Sequence, residues 1–215
     1  MAMHLAHRGL IKKKLSENTI ISFKESFKKG YGIETDIHFT KDNKIVCFHD
    51  FSLKNKFKIN KKISELNYDL LRKISLKFNS EIPLLDDLLK IIPNKFHLMI
   101  ELKPFFPKKN LISLINKTKK CKNFSLTSFN EKNLINLYKL RKTLNLGMIF
   151  PYSIKMKQLK NKLKKKYIKL LVIDKKFLRY SEIDKFKVSV YYYTIKNKKI
   201  FNKYKYLKNL IFEDS

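Results

Sequence analysis

Glu34 and Asp36 stand two residues apart in an apolar run, and Glu101 and Lys103 repeat that spacing later in the chain. His7-Arg8 and His49 close two other short apolar runs. Side chains i and i+2 of a strand project from one face, so each spaced pair is presented together. Taken singly, each has an ordinary explanation: a lone histidine near a strand end is usually a hydrogen-bonding group, and a lone acid in a basic protein is usually a salt-bridge partner. Their convergence is what carries weight. Three carboxylates held together are unfavourable unless a cation neutralises them, because repulsion and desolvation both act against the charged forms. Glu34, Asp36 and Glu101 therefore make a hard-oxygen site suited to one divalent cation, Mg²⁺ or Ca²⁺. His7, His49, Arg8 and Lys103 then suit acid/base work around a phosphate.

Such a site requires strands that end on one rim. Strand-like runs fall at Met3–Ala6, Tyr31–Ile37, Phe96–Leu102, Phe124–Thr127, Leu146–Phe150, Lys169–Ile173, Val188–Thr194 and Asn209–Phe212. Helical periodicity separates them, at Glu17–Lys29, Leu84–Ile92, Leu111–Lys120, Glu131–Thr143, Ile154–Lys166, Lys176–Lys185 and Lys198–Tyr206. The alternation predicts an α/β protein, a compact (β/α)₈ TIM barrel, with an open doubly wound sheet as the alternative. All seven candidate residues then lie at carboxyl ends of strands, where barrels place their chemistry. The chain, residues 1–215, reads as one domain. No GxGxxG or GxxxxGKS loop follows the first strand, so nucleotide binding has no support.

One segment breaks the alternation. Ile33–Thr40 and Ile45–His49 are extended runs around Lys41-Asp42-Asn43-Lys44, which predicts a hairpin with a two-residue Asp42-Asn43 loop and His49 opposite Asp36. Residues 51–82 read as an irregular to weakly helical insertion.

Composition bounds the partners. Lys and Arg total 49 against 18 Asp and Glu, a formal net charge of +31, which attracts anions of any kind. The excess is almost all lysine, and the four arginines leave little capacity for bidentate readout, so sequence-specific nucleic-acid binding is not expected. Lys, Asn, Ile and Phe are in excess along the whole chain, as AT-rich coding produces, yet residues 102–173 carry nineteen basic residues against Glu131 alone. Weak association with anionic membrane surfaces is thus a second expectation. Cys47 and Cys121 have no CxxC spacing, and no apolar run is long enough to span a bilayer, so a cytoplasmic location is expected. The oligomeric state is not legible.

In order along the chain stand Ala6-His7-Arg8-Gly9, Glu17-Asn18-Thr19, Glu34-Thr35-Asp36, Thr40-Lys41-Asp42, His49-Asp50, Ile82-Pro83-Leu84-Leu85 and Ile100-Glu101-Leu102-Lys103, with Thr127-Ser128-Phe129-Asn130 beyond. This series resembles the glycerophosphodiester phosphodiesterase family, strongly over residues 4–103 and more thinly afterwards. The resemblance implies a barrel of the phosphatidylinositol-phospholipase-C-like type and a small glycerophosphodiester substrate, cleaved to glycerol 3-phosphate and an alcohol. It implies His7 and His49 as the general acid/base pair, Glu34, Asp36 and Glu101 as ligands of the divalent cation, and Arg8 and Lys103 as phosphate-binding groups. It also implies attack by the neighbouring glycerol hydroxyl, with a cyclic phosphate that water then opens.

Departures gather near the C-terminus. The family's WTVN stands here as Tyr193-Thr194-Ile195-Lys196, its ITD as Phe212-Glu213-Asp214, and Ser16 replaces a proline before Glu17-Asn18-Thr19. The first two bear on headgroup choice, with Tyr193 either an aromatic wall for the substrate or a packing residue. Two rival readings remain: a lysophospholipase D-like hydrolase, which needs an apolar rim that the linear sequence does not display, and a non-catalytic barrel that binds polyanions.

Overall fold

The computed structural model describes residues 2–11 and 16–213. In chain order the strands are β1 (His4–His7), β2 (Gly32–Phe39), β3 (Ile45–Cys47), β4 (Leu98–Leu102), β5 (Phe124–Ser128), β6 (Leu146–Ile149), β7 (Leu170–Asp174), β8 (Ser189–Ile195) and β9 (Asn209–Phe212). All except β3 run parallel, in the order β1-β9-β8-β7-β6-β5-β4-β2, and β1 pairs with β2 to close the (β/α)₈ barrel. The expected barrel is thereby observed and the alternative, an open doubly wound sheet, is excluded. The helices are α1 (Ile20–Lys28), α2 (Lys54–Phe57), α3 (Tyr68–Lys77), α4 (Leu85–Ile91), α5 (Lys108–Thr118), α6 (Glu131–Leu140), α7 (Met156–Leu163) and α8 (Lys198–Tyr204).

Period-two alternation divides the core. Leu5, Met99, Ile149, Leu170, Val172, Tyr191 and Ile211 pack together inside the barrel, while outward residues such as Ala6, Ile33, Ile37, Ile100 and Leu171 pack with helix residues including Phe23, Leu88 and Leu114. Two residues beyond an inward apolar position, the same face emerges at the rim: Leu5 leads to His7, Met99 to Glu101 and Lys103, and Ile211 to Glu213. At the opposite end Gly32 leaves room for a close approach. A Cβ added there would lie 2.5 Å from the carbonyl oxygen of His97 and 2.7 Å from Leu5 Cδ2. Backbone cannot give way as a side-chain tip can, so Gly32→Ala is expected to destabilise the protein by about 2 kcal/mol. A thermal unfolding midpoint equal to wild type would contradict that close approach.

The loop after β1 is fixed before α1 begins. Arg8 holds a left-handed backbone (φ 59°) and Gly9 follows at φ 82°. A Cβ on Gly9 would meet Ser22 Oγ at 2.5 Å, so glycine lets the turn pack onto α1. Thr19 caps α1 and Ser22 returns the bond in a reciprocal box, which starts the helix at Ile20 rather than at Glu17.

Two segments differ from expectation. Residues 51–82 hold short helical pieces, as expected, but go beyond the expectation in having a core: α2, a 3₁₀ turn (Ile63–Glu65) and α3 bury Leu53, Phe57, Ile63 and Leu71 against Val46 and Phe48, in a cluster separate from the barrel's. Lys176–Lys185 does not form one helix but two 3₁₀ turns, Lys175–Arg179 and Ser181–Lys185, with extended Tyr180 between them. The buried residues there are Phe177, Leu178 and Ile183, a spacing that makes no continuous helical stripe.

Candidate active site

Register assembles the carboxylates. In the β1–β2 ladder His7 is the partner of Glu34, and in the β2–β4 ladder Asp36 is the partner of Glu101. Glu34, Asp36 and Glu101 thus share the inner face at the carboxyl end, all buried, with one oxygen of each within 4.8 Å of the others. Burial pushes Glu34 well above the ordinary carboxylate range, helped by the charges of Asp36 and Glu101. Burial likewise raises Glu101 to about 7, with Asp36 adding to it. Burial acts on Asp36 in the same direction, but Lys103 and Arg8 outweigh it and hold Asp36 below its ordinary value.

Both cations are tied to these acids. Lys103 Nζ lies 2.9 Å from Glu101 Oε1 and 3.5 Å from Asp36 Oδ1, and Arg8 Nε lies 3.2 Å from Asp36 Oδ2. Arg8 Nη1 donates to Glu17 Oε2 at 2.9 Å. Asn18 donates to Asp36 Oδ2 at 3.2 Å and accepts from Thr35 Oγ1 at 2.7 Å, which fixes the aspartate from below the site. Glu34 Oε2 is buried with no hydrogen-bond partner among the described residues, and His7 Nε2 stands 3.8 Å away. An orphaned oxygen among three carboxylates fits a divalent cation: oxygens as much as 4.8 Å apart can share an ion at ligand distances of about 2.4 Å or more, and closer ones at about 2.1 Å.

The histidines come from separate segments and line the same cavity. His7, at the end of β1, pairs through Nδ1 with Glu213 Oε1 at 2.9 Å. His49, after β3, pairs through Nδ1 with Asp50 Oδ1 at 2.7 Å, and Asn55 Nδ2 donates to Asp50 Oδ2 at 3.1 Å. Each imidazole has a carboxylate on Nδ1, which leaves Nε2 to face the site. Burial lowers His49 below the ordinary histidine range, with Lys103 and Arg8 also lowering it.

The hairpin delivers His49 by another register than the sequence suggested. Ile37, His38 and Phe39 pair with Cys47, Val46 and Ile45, so Phe48, not His49, lies opposite Asp36 and donates its N–H to the Asp36 carbonyl at 2.9 Å. The loop has three residues because Asn43 adopts a left-handed conformation (φ 59°) and Thr40 N bonds Lys44 O. His49 follows the ladder, and His38 Nε2 lies 3.2 Å from its carbonyl.

Glu213 is the site residue that the sequence left unassigned. Its signal was parity: it stands two residues after Ile211, on the inward face of β9. The hydrogen bond from His7 holds its carboxyl down at about 2 against the opposing effect of burial, and Lys196 adds an ion pair at 3.0 Å. Asp214 lies outside the described residues. Tyr193 lines a cavity of about 160 Å³ with Phe129, Ile149, Val172 and Ile211, opposite His7, Arg8, His49 and Lys103. Its hydroxyl donates to Phe150 O at 2.6 Å, so it both lines the cavity and braces the rim.

The (β/α)₈ barrel gathers two imidazoles, three carboxylates, a guanidinium and an ammonium at its carboxyl end, the face on which this class of fold places its chemistry. The chain belongs to the glycerophosphoryl diester phosphodiesterase family, whose sequence model matches residues 7–211. It is similar to a lysophospholipase D of Homo sapiens, 33% identical over 108 residues, a match that takes in 44% of this chain and 34% of the relative. Among solved structures, it is similar to a glycerophosphodiester phosphodiesterase from Thermotoga maritima, with a TM-score of 0.83 and 20% identity over 99% of this chain and 94% of the other. It is also similar to an Oleispira antarctica phosphodiesterase in complex with the product sn-glycerol-3-phosphate, with a TM-score of 0.82 and 20% identity over 98% of this chain and 92% of the other. The chain spans between 22% and 65% of the length of curated relatives that it matches.

Proposed function

We propose that this protein hydrolyses glycerophosphodiesters to glycerol 3-phosphate and an alcohol, using His7 and His49 as acid and base and one divalent cation, Mg²⁺ or Ca²⁺, at Glu34, Asp36 and Glu101. The observation that carries this reading is the pair of imidazoles, each braced at Nδ1 by a carboxylate, flanking an acid cluster and two cations on one rim. Family membership supports the substrate class.

In the first step one imidazole takes the proton of the glycerol hydroxyl beside the phosphate, and that oxygen attacks phosphorus. The bond to the alcohol breaks, and the second imidazole gives its proton to the departing oxygen. A cyclic phosphate remains. Water then reverses the roles: the imidazole that lost its proton takes one from water, the new oxygen opens the ring, and the other imidazole protonates the released hydroxyl. Holding hydroxyl and phosphate in one substrate gives an intramolecular attack its advantage. Arg8 and Lys103, already committed to this rim, hold the phosphate oxygens. A bound cation supplies charge neutralisation at the phosphate oxygens.

The test is release of glycerol 3-phosphate from glycerophosphocholine, glycerophosphoethanolamine and glycerophosphoglycerol with Mg²⁺, Ca²⁺ or EDTA. Turnover that EDTA abolishes and one of the two metals restores is expected. Absence of turnover on all three substrates, in folded protein supplied with metal, would refute the reading.

A further inference from the structure

Four exposed aromatic side chains stand on segments that follow β3, β4, β5 and β6, one of them lining the cavity. Phe51 follows β3 and is 57% exposed, Phe105 follows β4 at 48%, Phe129 follows β5 at 44%, and Tyr152 follows β6 at 69%. In the linear sequence they are far apart. The parallel order β6-β5-β4 makes the loops of Tyr152, Phe129 and Phe105 consecutive along the carboxyl-end rim, and the antiparallel β3 beside β2 leads on to Phe51. Phe51 is level with the site, since its ring meets that of His38 edge-on at 5.3 Å and His38 reaches the His49 carbonyl. Phe129 lines the cavity itself. Single exposed aromatics are common on any protein, but four on segments that follow adjacent strands, one of them at the cavity, are not scattered surface.

From this arc we infer that the carboxyl-end rim is a docking face for an anionic lipid bilayer, with the cavity mouth turned towards the headgroups. Charge selects that occupant. The loop segments 51–56, 103–109, 129–132 and 151–157 hold eight lysines and one acid, Glu131. That acid is engaged by Lys162 and Tyr167. Aromatic rings at headgroup depth flanked by lysines fit an anionic interface, where apolar burial and attraction to the lipid charge act together. A protein partner covering the same arc would close the cavity, whereas a bilayer offers the mouth a phosphodiester. The favoured substrate class is therefore glycerophosphodiesters that still carry an acyl chain, a consequence that rests on the proposed hydrolysis. The docking itself does not rest on it.

Co-sedimentation with vesicles tests the face without reference to turnover. Phosphatidylcholine vesicles are compared with vesicles of phosphatidylcholine and phosphatidylglycerol, for wild type and the double variant Phe105→Ser/Tyr152→Ser, at low and high salt. Wild type is expected to sediment with the anionic vesicles and to partition weakly onto phosphatidylcholine alone. Loss of two rings should weaken the anionic partition by roughly tenfold or more. Unfolding temperature and turnover of soluble glycerophosphoglycerol, if present, should match wild type, since neither ring touches the acid cluster or the histidines. Wild type left in the supernatant, or a double variant that sediments as wild type does, overturns the proposal. The second outcome would mean that lysine attraction alone binds the vesicles. Binding without turnover, by contrast, keeps the docking face and refutes the proposed hydrolysis.

Discussion

Glu34→Gln is expected to lower metal-dependent hydrolysis by about 10³-fold while leaving the metal-free protein at least as stable as wild type. The two effects share one cause. Glu34 is buried beside Asp36 and Glu101, and its proton is held well above the ordinary range because burial and both neighbours oppose its charge. A divalent cation reverses that balance when it binds, so the ionised carboxylate is useful only in the loaded site. Glutamine keeps the shape and removes the charge, and several kcal/mol of transition-state stabilisation go with it. The stability half follows from linkage. A carboxyl whose native pKa is raised binds its proton more tightly folded than unfolded, so wild type without metal loses stability as pH rises from the unfolded value through the native one. Glu101, with an ordinary value near 4.5 and a native value of about 7, places part of that loss between those limits. Unfolding in EDTA, followed as pH rises from the ordinary value of 4.5, should therefore show Glu34→Gln gaining on wild type. A variant that unfolds below wild type throughout, or that keeps turnover at matched metal, would sink the assignment of the acid cluster.

Most of the site was legible because a strand's period is two. Glu34 with Asp36, and Glu101 with Lys103, lie on one face in any register, and a parallel barrel brings carboxyl ends to one rim whatever the details between. His7 and Arg8 end β1 for the same reason. The less legible parts depended on choices that sequence spacing does not determine. His49 reaches the rim through a hairpin whose register turned on one left-handed asparagine, so its neighbour opposite Asp36 was misplaced by one residue. The helix after β7 failed because Phe177, Leu178 and Ile183 offer no continuous apolar stripe, and local turns satisfied the backbone instead. The 51–82 insertion has an apolar cluster whose partners, Val46 and Phe48, precede it in another element. Glu213 looked like a terminal departure from a pattern until β9 placed it against β1, 206 residues away in sequence from His7.

The aromatic arc was illegible for a related reason. Phe105, Phe129 and Tyr152 each sit in a loop whose local sequence gives a turn and nothing more. Only the strand order makes those loops neighbours. Apolar rims of this kind belong to topology, as acid clusters belong to strand parity.

His7→Ala is expected to lower kcat by about 10³-fold with little change in KM, because it removes a proton-transfer group and leaves Arg8, Lys103 and the acid cluster in place. Glu213→Gln should cost about tenfold, since the amide can still face Nδ1 but no longer offers a carboxylate to it. The order of these effects discriminates a positioning role from a structural one: if Glu213 merely braced the end of β9, Glu213→Gln would lower the unfolding temperature and leave kcat as it was. Leaving-group chemistry separates the two imidazoles. A glycerophosphodiester of p-nitrophenol needs no proton on its departing oxygen, so it should restore the first step in whichever of His7→Ala and His49→Ala lacks the acid and do nothing for the variant lacking the base. Burial keeps His49 low, which suits it to accept the first proton, so rescue is expected in His7→Ala. Rescue in His49→Ala alone would exchange the two roles without disturbing the site. Rescue in neither, with kcat of His7→Ala near wild type on the ordinary substrate, would remove His7 from proton transfer altogether.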